Sequence, residues 1–173
     1  MTSQQERCWQ SVPLHAAGDA ASQMYNATLK LARRTLGALP DRADWREGYV
    51  SSAPEGPFDG ASCLLVLHFV RAEERVAMLK ENRRRLKPGA AFAVAHHSTP
   101  GGAERDLWLD RLGTFASTNG VSLDKTNDGA RMLGERVPTL SPEAESDMLR
   151  VAGFVDPQLF YAALTYRGWV SRA

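Results

Sequence analysis

Two adjacent histidines, His96 and His97, follow a short apolar run and have side chains that can do chemistry. Histidine titrates near neutral pH, so either one could act as a general base. A shared metal ion is disfavoured, because adjacent residues of a strand point to opposite faces and no cluster of Cys or carboxylates completes a site. We therefore expect no metal, and a structural position or a pocket rim is the alternative to a base.

The segment before the histidines must position them. Arg83, Arg84 and Arg85 put cations where a helix exposes unpaired carbonyl groups. Pro88 cannot continue a helix, and Gly89 tolerates the backbone angles of a turn. The following apolar run, residues 91–95, is typical of a strand that is covered on both faces. The pattern therefore predicts a helix, a turn and a buried strand.

A second buried strand lies upstream of that helix. Residues 61–69 read ASCLLVLHF, which is nearly continuous in apolar residues and ends beside a third histidine, His68. A helix is predicted from about Ala72, with Glu73 and Glu74 in its first turn and Val76, Leu79 and Leu86 on one face. Residues 61–95 therefore form a complete β-α-β unit.

Further elements are predicted on both sides of this unit. Downstream, the sequence predicts helices over 107–115, around Ala130 and from Ser141-Pro142-Glu143 to Gly153, and then an antiparallel hairpin of strands 155–162 and 168–171. Upstream, it predicts strands over 12–17 and 43–50 and a helix over 22–36, whereas residues 1–11 are expected to be loosely structured.

Length and composition exclude several classes of protein. A chain of 173 residues suggests a single domain, 1–173, and 43% apolar residues argue against general disorder. The formal net charge of +1 gives no indication of a nucleic-acid or membrane partner. The polar N-terminus has no signal-peptide core, and Cys8 and Cys63 lack metal-type spacing. We expect a cytoplasmic protein with a buried Cys63 thiol.

Three stretches carry a resemblance to a known family. They are PFDGASCLLVLHFV, EERVAMLKENRRRLKPGAAFAVA and MLRVAGFVDPQLFY. Their order and spacing resemble the C-terminal half of a class I S-adenosylmethionine-dependent methyltransferase, over roughly residues 12–173. The resemblance implies an α/β fold: a Rossmann-like, mostly parallel sheet with an antiparallel C-terminal hairpin.

The same resemblance implies a set of cofactor-binding residues. Asp19 matches the acid that hydrogen-bonds the ribose hydroxyls, and Met24 follows it at the usual distance. The other implied contacts lie around the adenine (Gly48, Tyr49, Val50), around the methionine portion (Leu64, Leu65) and at His68. For Asp19 the alternative is a structural residue before a helix, and for His68 it is a packed, hydrogen-bonded histidine.

One departure from the family is large. The glycine-rich loop that approaches the cofactor is missing, since Gly18 is the only glycine among the first 36 residues. We expect a chain truncated at its N-terminus; a replacement strand within residues 7–12, or loss of catalysis, are the alternatives. Strand 63–69 is too apolar for an exposed edge. We therefore predict that part of residues 7–17 pairs beside it.

The function implied by the resemblance is methyl transfer from S-adenosylmethionine to a small-molecule acceptor. Such a reaction depends mainly on holding the acceptor and the methyl group in line, so no catalytic residue is assigned. The alternatives are a non-catalytic protein that keeps the fold for binding, and a carboxy-S-adenosylmethionine synthase-like transferase for which Arg131 is the candidate basic residue. A homodimer is a possible assembly.

Overall fold

The computed structural model describes residues 8–11, 34, 50–118 and 122–173. Five strands form one sheet: β1 (Cys8–Ser11), β2 (Phe58–Leu64), β3 (Leu86–His97), β4 (Val155–Ala163) and β5 (Tyr166–Arg172). The helices with full bounds in this part of the chain are α1 (Ala72–Arg84), α2 (Gly102–Ser117), α3 (Leu123–Arg136) and α4 (Pro142–Val151). Two short 3₁₀ turns span Val50–Ser52 and Leu67–Phe69.

The described strands are ordered β1-β2-β3-β5-β4 across the sheet. β1, β2 and β3 run parallel, whereas β5 pairs antiparallel with both β3 and β4. The predicted α/β class, with parallel strands and an antiparallel C-terminal hairpin, is confirmed.

Strand β1 covers the edge of β2 that the sequence predicts must be covered. Cys8 pairs with Gly60 and Ser11 with Cys63 in a parallel register. Pairing by the N-terminal segment is therefore confirmed. The expectation that all of residues 1–11 are loosely structured does not hold for 8–11, because the apolar β2 offers this segment a ladder of backbone partners.

The central β-α-β unit forms as predicted, but β2 ends earlier. It stops at Leu64 instead of Phe69, because Leu65 adopts a left-handed conformation with φ of 58° and a 3₁₀ turn follows. Helix α1 begins at Ala72 and has Glu73 and Glu74 in its first turn, as predicted.

The turn predicted at Pro88 and Gly89 is an irregularity within β3, since the strand already begins at Leu86. Gly89 has a φ of 77°, which a residue with a Cβ would adopt only under strain. Its N–H donates to the carbonyl of Ala173 at 2.9 Å. This bend ties the start of β3 to the end of the chain.

The core lies between the sheet and helices α1 and α4. Phe92 of β3 stacks on Phe154 with ring centroids 4.5 Å apart, and Trp169 of β5 and Cys63 of β2 are fully buried. Of the face predicted for α1, Leu79 is buried and Val76 is partly buried against the core, whereas Leu86 already belongs to β3. The helix also buries Arg75 and Asn82, which the prediction did not include.

The C-terminal elements agree in type with the sequence and differ in length. Helix α2 begins five residues earlier than predicted, and α4 begins at Pro142 with the Ser141 hydroxyl accepting from the N–H of Ala144 at 3.3 Å. The predicted strand over 12–17 lies outside the described residues, as do almost all of the helix over 22–36 and the strand over 43–50. No helix in the described part of the chain is both long and apolar enough to cross a membrane.

Candidate functional site

The carboxyl ends of the parallel strands β2 and β3 meet at one edge of the sheet. In open α/β sheets this edge is where ligands bind. Residues 65–69 follow β2, and Ser98 and Thr99 follow β3, so His68, His96 and His97 lie here. We refer to this region as the carboxyl edge.

An open apolar surface follows β2. Leu64, Leu65 and Phe69 are 38%, 51% and 51% exposed, which is unusual next to a fully buried core. The N–H of Leu65 donates to the carbonyl of Ala95 at 2.7 Å and fixes the bend of the chain. The backbone therefore holds this apolar surface in place.

His68 and His97 are buried and neutral at this edge. Burial, followed by the neighbouring His97, His96 and Arg75, lowers the pKa of His68 to about 3. Burial, followed by His96, lowers the pKa of His97 to about 4. Because the charged forms lose more solvation than they regain, both rings are uncharged at pH 7.

Hydrogen bonds orient the two neutral rings. The backbone N–H of His97 points to Nδ1 of His68 across a long 3.4 Å contact, which places the proton of neutral His68 on Nε2. Nδ1 of His97 lies 2.8 Å from the hydroxyl of Thr165. The His97 ring also packs against His68 and Tyr166, with centroids 4.8 and 4.1 Å apart.

His96 faces a different set of groups from its neighbour, as the alternation of strand residues requires. Its Nε2 lies 3.0 Å from Oε1 of Glu145, and the guanidinium of Arg75 lies 3.7 Å from the same oxygen. All three side chains are fully buried. The His96–Glu145 contact lacks hydrogen-bond geometry, so both atoms remain without such a partner.

The buried Arg75 also holds the backbone near the carboxyl edge. Its Nε donates to the carbonyl of Val70 at 2.9 Å, and another of its nitrogens donates to the carbonyl of Pro138. Residues 137–140 are thereby tied to the start of α1. The buried Ser98 hydroxyl donates to the carbonyl of Leu140 at 2.9 Å and fastens the same segment to the end of β3.

An arginine and a tryptophan line the outer side of this edge. Arg167 donates to the carbonyl of Ser98, and its guanidinium lies 5.9 Å from the ring of Trp108. Arg111 approaches the same ring at 4.7 Å. Tyr166 and Arg167 therefore pack against the site.

A cavity of about 340 Å³ opens next to the end of β3. It lies between residues 99–102, helix α2, the end of α3 and residues 137–139. Its lining includes Thr99, Arg105, Gly134, Glu135 and Thr139.

The chain resembles known methyltransferases in sequence and in fold. Residues 16–94 match the family model described as a methyltransferase domain. Solved methyltransferase structures share the fold of the chain. The resemblance to the class I S-adenosylmethionine-dependent methyltransferases is confirmed. This chain has the class I methyltransferase fold.

Three solved structures illustrate the likeness. PigF with SAH is 20% identical with a TM-score of 0.56, covering 96% of this chain and 43% of PigF. The pyocyanin biosynthetic protein PhzM is 13% identical with a TM-score of 0.62, covering 99% of this chain and 52% of PhzM. The Burkholderia thailandensis 1,6-didemethyltoxoflavin-N1-methyltransferase, with bound 1,6-didemethyltoxoflavin and S-adenosylhomocysteine, is 16% identical with a TM-score of 0.55.

The comparison with the toxoflavin enzyme includes 96% of this chain and 71% of that enzyme. The chain spans only about half of the length of PigF and of PhzM. No curated protein sequence matches this chain.

The predicted cofactor residues of this methyltransferase fold fall into three groups. Asp19, Met24, Gly48 and Tyr49 lie outside the described residues. Leu64, Leu65 and His68 lie together at the carboxyl edge.

Val50 is the third case. It belongs to the 3₁₀ turn Val50–Ser52, whose Ser51 carbonyl accepts from Arg85 at 3.0 Å, and Arg85 directly precedes β3. The turn therefore lies toward the opposite, amino edge of the sheet from Leu65. This placement does not support Val50 as a neighbour of Leu64, Leu65 and His68, and its cofactor role stays a prediction.

Sequence reasoning missed Arg75, Glu145 and Thr165. Two of these left a signal: Arg75, Leu79 and Asn82 are spaced as one helix face, and Glu145 precedes Met148 and Leu149 at the same kind of spacing. A charged residue that falls on the apolar face of a helix indicates a buried charge. Thr165 left no such signal, because it occupies the hairpin turn.

Metal ligation finds no support in the described part of the chain. No group of three or more His, Cys, Asp or Glu side chains there is arranged to hold a metal ion. The histidines instead pack against one another, against Glu145 and against aromatic rings.

Proposed function

We propose that this chain binds S-adenosylmethionine at the carboxyl edge and transfers its methyl group to a small-molecule acceptor. The observation that carries the proposal is the match of residues 16–94 to a methyltransferase domain. That match includes β2, α1 and most of β3, the elements whose ends form this edge. The relatives crystallised with SAH or S-adenosylhomocysteine support the cofactor, and the one holding 1,6-didemethyltoxoflavin supports a small acceptor.

The surface after β2 fits the cofactor. Leu64, Leu65 and Phe69 offer exposed apolar area that a thioether chain or a flat base can cover. When bound, the cofactor supplies an activated methyl group on a sulfonium.

The chain's own residues contribute mainly position. His68 carries its proton on Nε2. This nitrogen can donate a hydrogen bond to the methyl acceptor but cannot remove a proton from it. His97 can accept a proton only weakly, since its pKa of about 4 is far below neutral pH. Alignment of acceptor and methyl group therefore carries more of the rate than base catalysis.

Other features of the proposal rest on the sequence. The net charge of +1 favours a small molecule over nucleic acid or an anionic membrane as partner. Cytoplasmic location and a homodimer remain proposals. Arg131 gives little support to a carboxy-S-adenosylmethionine synthase-like activity, because it is exposed and ion-paired with Asp128 and Glu135.

Calorimetric titration with S-adenosylhomocysteine tests the proposal. We expect weak binding to the wild-type chain. Asp19→Ala should weaken it about tenfold or more, because a carboxylate bonded to two hydroxyls is lost. Asp147→Ala is the matched control, as Asp147 is 72% exposed on α4.

Each outcome of this titration has a distinct meaning. Tight binding that Asp19→Ala leaves unchanged would contradict the assignment of Asp19. No binding to the wild-type chain would contradict the proposed function and favour a non-catalytic role.

A further inference from the structure

We propose that the cavity beside the end of β3 binds the carboxylate of a small organic anion through the guanidinium of Arg105. Resting on the proposed function, this makes the methyl acceptor a carboxylate-bearing small molecule.

Arg105 supplies a positive charge that has no ion-pair partner within the described part of the chain. It is partly buried on α2, lines the cavity, and forms no ion pair with any described residue. Glu135 also lines the cavity, and its carboxylate pairs with Arg131 at 3.1 Å rather than with Arg105. A carboxylate presents two oxygens that match the fork of a guanidinium, so an organic acid is the natural partner of this free cation.

Gly134 keeps the space beside that cation open. A Cβ at this position would lie 2.6 Å from Cδ1 of Leu109 and 3.5 Å from a terminal nitrogen of Arg105. Glycine inside a helix is costly relative to alanine. Close packing of α2 on α3 accounts for the contact with Leu109, and the same missing side chain leaves the Arg105 guanidinium accessible from the cavity.

The floor of the cavity is polar and fixed. The hydroxyls of Thr99 and Thr139 are 2.7 Å apart and hydrogen-bonded to each other, and the N–H of Thr99 donates to the carbonyl of Leu140 at 3.1 Å. Arg75 holds the carbonyl of Pro138 from below. Each hydroxyl retains capacity for a further hydrogen bond, so the floor can orient a polar ligand without rearranging.

Position and size connect the cavity to the carboxyl edge. Thr99 lines the cavity and lies two residues after His97 in the chain, just past the end of β3, so the cavity lies at the carboxyl edge. Its volume of about 340 Å³ suits a compact molecule, since small-molecule sites begin near 300 Å³. One cation without an ion pair to any described residue, together with this volume, favours a small monocarboxylate.

Titrations with benzoate and with benzamide, its neutral counterpart, test the proposal. Amide chemical shifts of the isotope-labelled protein report where each probe binds. We expect benzoate, and not benzamide, to shift amides of residues 99–105 and 134–139 in the wild-type chain. Arg105→Gln should weaken benzoate binding about tenfold, and Arg105→Lys should weaken it less.

Arg150→Gln is the matched control. It makes the same change of charge at a residue that is 56% exposed on α4, and benzoate binding should not change. Equal shifts with benzoate and benzamide, no benzoate shifts at these amides, or benzoate affinity unaffected by Arg105→Gln would each overturn the proposal. If Arg105→Gln is not folded by circular dichroism, the comparison of the wild-type chain with Arg105→Lys decides.

The outcome is separable from that of the proposed function, because benzoate is titrated without cofactor. S-adenosylhomocysteine binding with no carboxylate selectivity would refute the site alone. Selective benzoate binding in a chain that does not bind S-adenosylhomocysteine would refute the methyl-transfer function and leave the anion site standing.

Discussion

Acidification between pH 7 and pH 5 should destabilise this fold through His68 and His97. Their pKa values in the folded chain, about 3 and about 4, lie below the 6.5 of an ordinary histidine. The unfolded chain therefore binds more protons than the folded chain in this range, and stability falls as the pH falls. The stabilisation is complete above pH 6.5 and is lost progressively toward pH 4 for His97 and pH 3 for His68.

The magnitude follows from that difference in protonation. At pH 5 an unfolded histidine is almost fully protonated, while each of these two is mostly neutral in the fold. Each then lowers the free energy of unfolding by about 2 kcal/mol relative to pH 7. Two histidines give about 4 kcal/mol, which is a large part of the total for a domain of this size.

Urea unfolding followed by circular dichroism at pH 7.0, 6.0, 5.5 and 5.0 would measure this effect. Carboxylates change the free energy of unfolding little between pH 7 and pH 5. For example, the pKa of Glu81 is lowered to about 2 by its hydrogen bonds to Arg84 and Arg85. That lowered pKa makes Glu81 contribute stability that is lost only below about pH 4.5. The histidines therefore dominate above pH 5.

Single substitutions assign the effect. His97→Gln should lower stability at pH 7, because a packed ring and its bond to Thr165 are lost. It should also remove about half of the dependence on pH, since one titrating group is gone. His68→Gln should behave in the same way. Equal stability at pH 7 and pH 5, or an unchanged slope in both variants, would refute the burial argument.

The remaining predictions concern the buried ion pair and two glycines, with urea unfolding at pH 7 as the measurement. Glu145→Gln should cost about 3–5 kcal/mol, because Arg75 is left as an uncompensated buried charge, whereas Arg150→Gln on the exposed side of α4 should cost far less. Equal losses would contradict this reasoning. Gly56→Ala should destabilise more than Gly89→Ala: both have positive φ, but only a Cβ at Gly56 would overlap a backbone carbonyl oxygen. A reversed order would show that the clash relaxes freely.

The central unit of the fold could be predicted because its signals are local. Strands β2 and β3 are short apolar runs, Gly89 marks an irregularity, and Ser141 caps α4. The end of β2 could not be placed, since Leu67 and His68 of the 3₁₀ turn are buried like the strand before them. Hydropathy reports burial and does not distinguish the backbone conformations that achieve it.

Strand β1 illustrates a second limit. Its four residues, CWQS, are too few for a periodic pattern, and their conformation depends on pairing with β2 across a gap of about fifty residues. The need for a partner could be argued from the apolar character of β2. The identity of the paired residues depended on long-range geometry.

The candidate site was predictable only in part. His68, Leu64 and Leu65 follow a recognisable strand, so their position at the carboxyl edge could be expected. The contact between Arg75 and Glu145 joins residues seventy positions apart, and no local pattern pairs them. Arg131 was a candidate only for the carboxy-S-adenosylmethionine synthase-like alternative, and the arginine that lines the cavity is Arg105.

The buried charges and the neutral histidines depend on the same low-dielectric environment. Burial keeps His68 and His97 uncharged, and it also makes the Arg75–Glu145 contact costly to break. Arg75 belongs to both sets, since it adds to the lowering of the pKa of His68 that burial, His97 and His96 mainly cause.

Arg75 also fixes the Pro138 carbonyl at the floor of the cavity. A substitution at Glu145 would therefore affect the cavity as well as the stability of α4. It would leave the Arg75 guanidinium without its carboxylate, and a shift of that side chain would reach the Pro138 carbonyl and the neighbouring Thr139 and Thr99. In a folded Glu145→Gln variant, benzoate affinity should therefore fall although Arg105 is intact. Unchanged affinity would show that the Arg75–Glu145 pair does not hold the cavity floor in its binding shape.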